Sequence, residues 1–227
     1  MERFSIFIFF WLILLPNELH SHINHYNKIK VLKYDLFLNN ELIGYHNFEF
    51  NRINGKLHVV GSGYFKVNKL GIDLMKYRTK SNGIYKDNML LEFNSETLQN
   101  DKKKYVRIKS DKKKLLIDGS SFNGKTTYDS IISDLWNHEI VLKQHQISSI
   151  SGRVINQEVK YLGKDKVSIK NKEFNTINFH LFSKNEKPMN EKKINLKIWY
   201  DEASLIWIKA SYEKFGTWEY RLNEVKY

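Results

Sequence analysis

The sequence predicts a mainly β protein, an antiparallel meander curled into a barrel or an open half-barrel, with one central helix near residues 130–143. Three observations carry that expectation. Apolar and polar residues alternate over most of the chain, as half-buried strands require. Turn signals recur at short intervals between the alternating runs. Helical periodicity is confined to one stretch near the middle. A flat sheet of so many strands would be unusual, so the meander is expected to curl.

The elements follow in order. Tyr34, Leu36 and Leu38 share a face of the first strand, and Asn39-Asn40 turns the chain into a second, where His46, Phe48 and Phe50 share a face. Asn54-Gly55 is a strong hairpin signal. It leads to Leu57, Val59, Gly61, Gly63, Phe65 and Val67, whose two central glycines predict a bend or bulge. Further strands are expected near 73–86, 89–99, 104–110, 114–118, 153–162, 165–170, 173–183, 192–201, 204–212 and 214–224. The lysine runs at 101–104 and 111–114 flank one of them and read as solvated hairpin turns. In the central stretch, Ile132, Leu135, Trp136 and Ile140 fit one helix face, with Asp129 or Ser130 as N-cap and Glu139 placed to pair with Lys143. That helix would plug or cover the concave side of the sheet.

Residues 1–21 read as a cleaved export signal: a short basic start, the apolar run from Phe4 to Leu15, then a polar segment ending at Ser21. Residues 22–227 are then a single all-β domain, periplasmic or secreted. No later segment reaches eighteen unbroken apolar residues, so no transmembrane segment is expected after the signal. The chain has no cysteine, so neither a disulfide framework nor a thiol nucleophile is available. The formal net charge of +12 comes mostly from lysine, whereas nucleic-acid readers lean on arginine forks. No nucleic-acid partner is therefore expected, and an anionic membrane surface ranks ahead of one.

Catalytic signatures are thin. Asp134 and His138 lie four apart, which on a helix makes a surface pair, with His138 and Glu139 facing water. Leu142 stands where a zinc peptidase motif would need its second histidine. His20, His22 and His25 cluster near the processing site. No nucleophile elbow, phosphate-binding loop or dinucleotide fingerprint is present. Catalytic residues, metal and cofactor are all expected to be none.

Several runs together resemble a known family: YDLFLNNELIGYHNFEF from Tyr34, VNKLGIDLMKYRTKSNGIYKDNMLLEFNSET from Val67, the DLWNHEI segment with the SGR turn, and the closing IWYDEASLIWIKASYEKFGTWEYRL. Their most specific elements are Tyr34-Asp35 with Ile43-Gly44, Leu70-Gly71, Trp136-Asn137 and Trp199-Tyr200-Asp201. They look like an uncharacterised family of exported bacterial proteins catalogued as a domain of unknown function. The resemblance spans nearly all of residues 22–227, implies export and an all-β fold, and carries over no catalytic residue. The departure is Glu202-Ala203, where a turn-forming Asp-Gly pair is expected. More loosely, the architecture is similar to periplasmic lipoprotein carriers, half-barrels around an apolar cavity. That similarity implies a ligand-binding lining of Phe48, Phe65, Ile198, Trp207 and Trp218 with Trp136 at the lid, each of which serves equally as plain core. Three readings follow: a non-enzymatic binder of a lipid or other apolar ligand, an assembly factor binding another envelope protein, and a hydrolase using carboxylates or Asp134 with His138.

Overall fold

The computed structural model describes residues 26, 28–69, 72–183 and 193–227. The expected export signal, the His20, His22 and His25 cluster and the Leu70-Gly71 pair lie outside them. Eight strands run in sequence: β1 (Val31–Leu38), β2 (Glu41–Ile53), β3 (Lys56–Lys69), β4 (Ile72–Lys86), β5 (Met89–Gln99), β6 (Lys102–Asp111), β7 (Lys114–Gly119) and β8 (Phe122–Thr127). An insert follows with short strands β9 (Ser130–Ile132), β10 (His145–Ile147) and β11 (Val154–Asn156). The chain then returns to long strands: β12 (Glu158–Ile169), β13 (Lys172–Phe182), β14 (Asn195–Asp201), β15 (Trp207–Glu213) and β16 (Thr217–Lys226).

All but the insert strands form one antiparallel sheet of 13 strands, ordered β12, β13, β14, β15, β16, β1, β2 and on to β8. Two meanders, one from each half of the chain, are thus joined in the middle by β1 and β16, whose register starts at Val31 opposite Lys226. The turns follow local chemistry. Asn39 and Asn40 both adopt positive φ, 49° and 69°, as does Asn54 with Gly55, which suits two-residue hairpins. The lysine runs do flank hairpin turns, with Asp101 and Lys112 at positive φ. The expected bulge at Gly61 and Gly63 is absent from the register, which shifts instead between Val67 and Asn68. A Cβ on Gly61 would meet Ser81 Oγ at 2.4 Å, so that glycine serves close packing rather than a register break.

The sheet curls around the insert. The Leu135 carbonyl accepts a hydrogen bond from Tyr200 of β14 at 2.9 Å, while neighbouring Trp136 packs edge-on against Tyr85 of β4, ring centroids 5.5 Å apart. Those strands are six places apart in the sheet order, about 29 Å if the sheet were flat at ~4.8 Å per strand. Adjacent residues can reach both only because the sheet wraps. Beyond β14 it bends the other way: the β12–β13 hairpin folds over the opposite face, where Lys170 donates to Asn223 of β16 at 2.8 Å and Trp199 of β14 donates to Asp165 at 3.2 Å.

Two expectations are corrected here. The sheet does not close into a barrel. Its end strands, β8 and β12, do not pair with each other, and the insert packs against the wrapped side between them. Nor is there an α-helix at 130–143, or anywhere among the described residues. Ser130–Ile132 is a strand running parallel to His145–Ile147, and a 3-10 turn, His138–Leu142, follows, with the Asn137 side chain accepting from Glu139 N at 3.1 Å. The physical reason lies in burial all round. Ile131, Asp134, Asn137 and His138 are buried as well as Ile132, Trp136 and Ile140, so the apolar spacing does not mark one face of an amphipathic helix. Tertiary packing and side-chain caps then override the local period.

Candidate functional site

Of the six side chains expected to line a cavity, Phe48, Trp136, Ile198 and Trp207 are buried in one hydrophobic core, while Phe65 and Trp218 pack on each other. Trp136, 1% exposed, lies edge-on to Tyr26, Phe50 and Tyr85 at 5.3, 5.3 and 5.5 Å. Phe48 and Trp207 meet through Tyr34, which stacks on Trp207 at 4.0 Å and stands edge-on to Phe48 at 6.3 Å. Phe65 and Trp218 pack together at 5.3 Å, flanked by Tyr77 and Tyr212. Ile198 is buried on β14. Ring contacts therefore link Phe48 to Trp207 through Tyr34 and Phe65 to Trp218, while Trp136 joins the same core as Phe48 and Trp207 through Tyr26, Phe50 and Tyr85. The indole N–H groups of Trp136 and Trp207 find no acceptor among the described residues.

Asp134 and His138 are drawn inward too, against the expectation that His138 faces water. The turn geometry buries His138 between Tyr26, whose hydroxyl lies 3.5 Å from Nδ1, and the edge of Tyr200. Burial pushes the Asp134 carboxyl up to about 6, against a lowering hydrogen bond from the Ser149 hydroxyl. Burial among aromatic rings, Phe48 at 4.4 Å and Tyr220 at 6.1 Å, likewise pushes the His46 imidazole down to about 4.

A pocket of about 310 Å³ lies on the opposite face of the sheet, beneath the folded-over hairpin. Strand alternation places Asp35 and Phe37 of β1, Lys209 of β15 and Glu219 and Arg221 of β16 on that face, because Tyr34, Leu36, Ala210 and Trp218 point into the core. The hairpin supplies the opposing wall, Val167, Ile169 and Lys170. Glu219 sits at the centre. It pairs with Lys209 through one oxygen and with Arg221 through the other, Arg221 Nε donating at 2.9 Å. Burial raises the Glu219 pKa, but hydrogen bonds and charge from Lys209 and Arg221 outweigh it and hold the carboxyl below its ordinary value. Both cations lie over aromatic rings: Arg221 is 4.2 Å from the Phe37 centroid and Lys209 is 5.3 Å from that of Trp199. Asp35 accepts from Asn223, which in turn accepts from Lys170, so roof and floor are tied by one polar chain.

Chemically this is a floor of two cations and two carboxylates, facing a wall of Val167 and Ile169 that ends in a third cation, Lys170. A guanidinium carries five N–H donors and an ammonium three. Glu219 and Asn40 use only part of that supply, leaving donors for a bound group. From the sequence, Asp35 and Trp199 stood out only as parts of the family resemblance, and Phe37, Val167, Ile169, Lys170, Lys209, Glu219 and Arg221 were not singled out. The local signal is real but mute, since charged residues alternating along a strand ordinarily mean a solvated face. It gains meaning once β16 is known to lie beside β1 and the hairpin is known to fold over them.

No curated protein is found to match the chain. The family model described as a domain of unknown function (DUF6134) matches residues 34–223, from the Tyr34 that stacks on Trp207 to the Asn223 that ties the pocket roof, and the chain belongs to that family.

Proposed function

We propose that the protein is a non-enzymatic envelope protein that binds a small amphiphile, an apolar body bearing one anionic group, in the roofed pocket. The carrying observation is the pairing of the Val167, Ile169 and Phe37 surface with the unspent donors of Lys209, Arg221 and Lys170. At about 310 Å³ the pocket suits a small ligand rather than a full lipid. The apolar part gains from leaving water, and the anion gains from cations already held in place by Glu219. This reading moves the expected apolar ligand from the wrapped interior to the opposite face.

The test is native mass spectrometry of protein purified from envelope extract without detergent, followed by solvent extraction of whatever is bound. A near-stoichiometric anionic amphiphile is expected, and Ile169→Trp, which fills the pocket, should lose it with circular dichroism unchanged. A clean apo mass for the wild type, together with no uptake of a fluorescent fatty-acid probe, would overturn the reading.

A second reading, binding of another envelope protein by strand addition, draws support from the open β12 edge. Tyr161 and Leu162 are exposed there. Lys160, Lys164 and Lys166 along the same strand, with Gly163 breaking its register, weigh against it, because such features keep edges unpaired. Crosslinking at position 161 that captures one stoichiometric partner would favour this second reading.

A further inference from the structure

We infer that the outward face of β3 to β6 is a second binding surface, built for an anionic polysaccharide. Arg78 and Lys80 alternate along β4 and form a ridge between two clefts. On one side a cleft of about 370 Å³ is bordered by Tyr64 and Tyr45. On the other, a cleft of about 460 Å³ is bordered by Leu98, Lys103, Tyr105 and Arg107. One transverse row runs through both, Tyr45 opposite Tyr64, Tyr64 opposite Arg78, Arg78 opposite Leu98 and Leu98 opposite Lys103. From β2 to β6 that row spans about 19 Å at ~4.8 Å per strand, enough for several linked units of an extended chain.

The charge is available rather than already neutralised. Among the described residues Arg78, Lys80 and Lys103 make no ion pair, and Glu96 is the one acid bordering the larger cleft. Arg107 does meet Asp118, at 4.0 Å. A field of unpaired cations of this kind attracts polyanions, and Arg places directional donors on carboxylate or phosphate oxygens.

The aromatic geometry selects among polyanions. Arg78 lies over the Tyr64 ring at 5.9 Å, and Arg107 lies over the Tyr105 ring at 5.3 Å. Tyr45 and Tyr64 are tilted 37° to each other at 6.2 Å. One face each of Tyr64 and Tyr105 is therefore covered by the protein's own guanidinium groups, which leaves fewer ring faces for nucleobases to stack on. Two concave clefts flanking a ridge also fit a chain better than the plane of a bilayer. What remains is a chain with hydroxyls and regularly spaced carboxylates, which tyrosine hydroxyls and fixed cations can both engage.

The experiment is isothermal titration of the full chain with polygalacturonate, with neutral dextran, single-stranded poly(dT) and anionic phosphatidylglycerol vesicles as parallel arms. Polygalacturonate should bind, dextran should not, and both poly(dT) and vesicles should bind more weakly. The double variant Arg78→Gln with Lys80→Gln should weaken polygalacturonate at least about tenfold, as expected for losing two charge-assisted contacts. Lys112→Gln with Lys113→Gln removes the same charge from a distant turn and should change affinity less than about threefold. The inference is overturned if the wild type ignores polygalacturonate, if poly(dT) or vesicles bind more tightly, or if the turn variant loses as much as the ridge variant.

Discussion

Asp134 and His46 are both enclosed on the wrapped side of the sheet, and they respond to acid in opposite senses. Burial raises the Asp134 pKa from 3.8 to about 6, so its contribution to stability is fully present below 3.8 and lost as pH rises through 6. At neutral pH the buried carboxylate therefore costs on the order of 3 kcal/mol relative to a neutral isostere that keeps the Ser149 bond. Burial lowers His46 from 6.5 to about 4, so its contribution is present above 6.5 and lost as pH falls toward 4. Between pH 4 and 6 the two offset each other. Asp134→Asn should accordingly raise the urea midpoint at pH 7.5, with the gain shrinking to nothing near pH 4, where the native side chain is protonated as well. Unfolding curves at several pH values measure this, and a gain that does not vary with pH would mean the Asp134 carboxyl is not desolvated as described.

At the scale of elements, legibility followed how local the determinant is. Asn39, Asn40, Asn54 and Gly55 announce their hairpins because positive φ is a property of those residues themselves. The 130–143 stretch misleads because its apolar spacing has a non-local cause, enclosure by β2, β4 and β14 at once. Gly44 is a subtler case. Nothing in its surroundings in the sequence says why a strand should hold a glycine, yet an added Cβ would stand 2.0 Å from the Tyr64 carbonyl and 2.6 Å from Phe65 Cα. The glycine sits where β1 and β2 slip register between Leu36 and Phe37, and it lets β3 approach. Gly44→Ala should thus force backbone apart and destabilise by about 1–3 kcal/mol, as overpacking does. A shift in thermal midpoint with unchanged far-ultraviolet dichroism is the expected outcome, and no shift would show that β3 yields freely there.

For the molecule as a whole, each meander is readable separately, strand after strand, but their union is not. Tyr34, Leu36 and Leu38 declare a buried face without declaring that Leu222, Tyr220 and Trp218 will stand opposite them nearly the whole chain away. Openness is equally silent in the sequence, since strand count alone does not choose between closure and an S-shaped sheet. The roofed pocket inherits that silence, because its floor comes from β1, β15 and β16 and its roof from the end of β12 and the turn residue Lys170. The central seam also carries a mechanical consequence. Lys30 N bonds to Lys226 O at 2.8 Å, so both ends of the sheet's chain leave from the same end of the β1–β16 pair. Tension applied through them would load one hydrogen bond at a time and open the seam like a zipper, whereas tension along the strands would load them all together. The cysteine-free chain makes clean force-spectroscopy handles possible: Lys28→Cys with Tyr227→Cys should rupture at lower force than Lys28→Cys with Thr217→Cys. A protein stitched at its centre would then resist a pull along that seam and yield to a pull that peels it from one end.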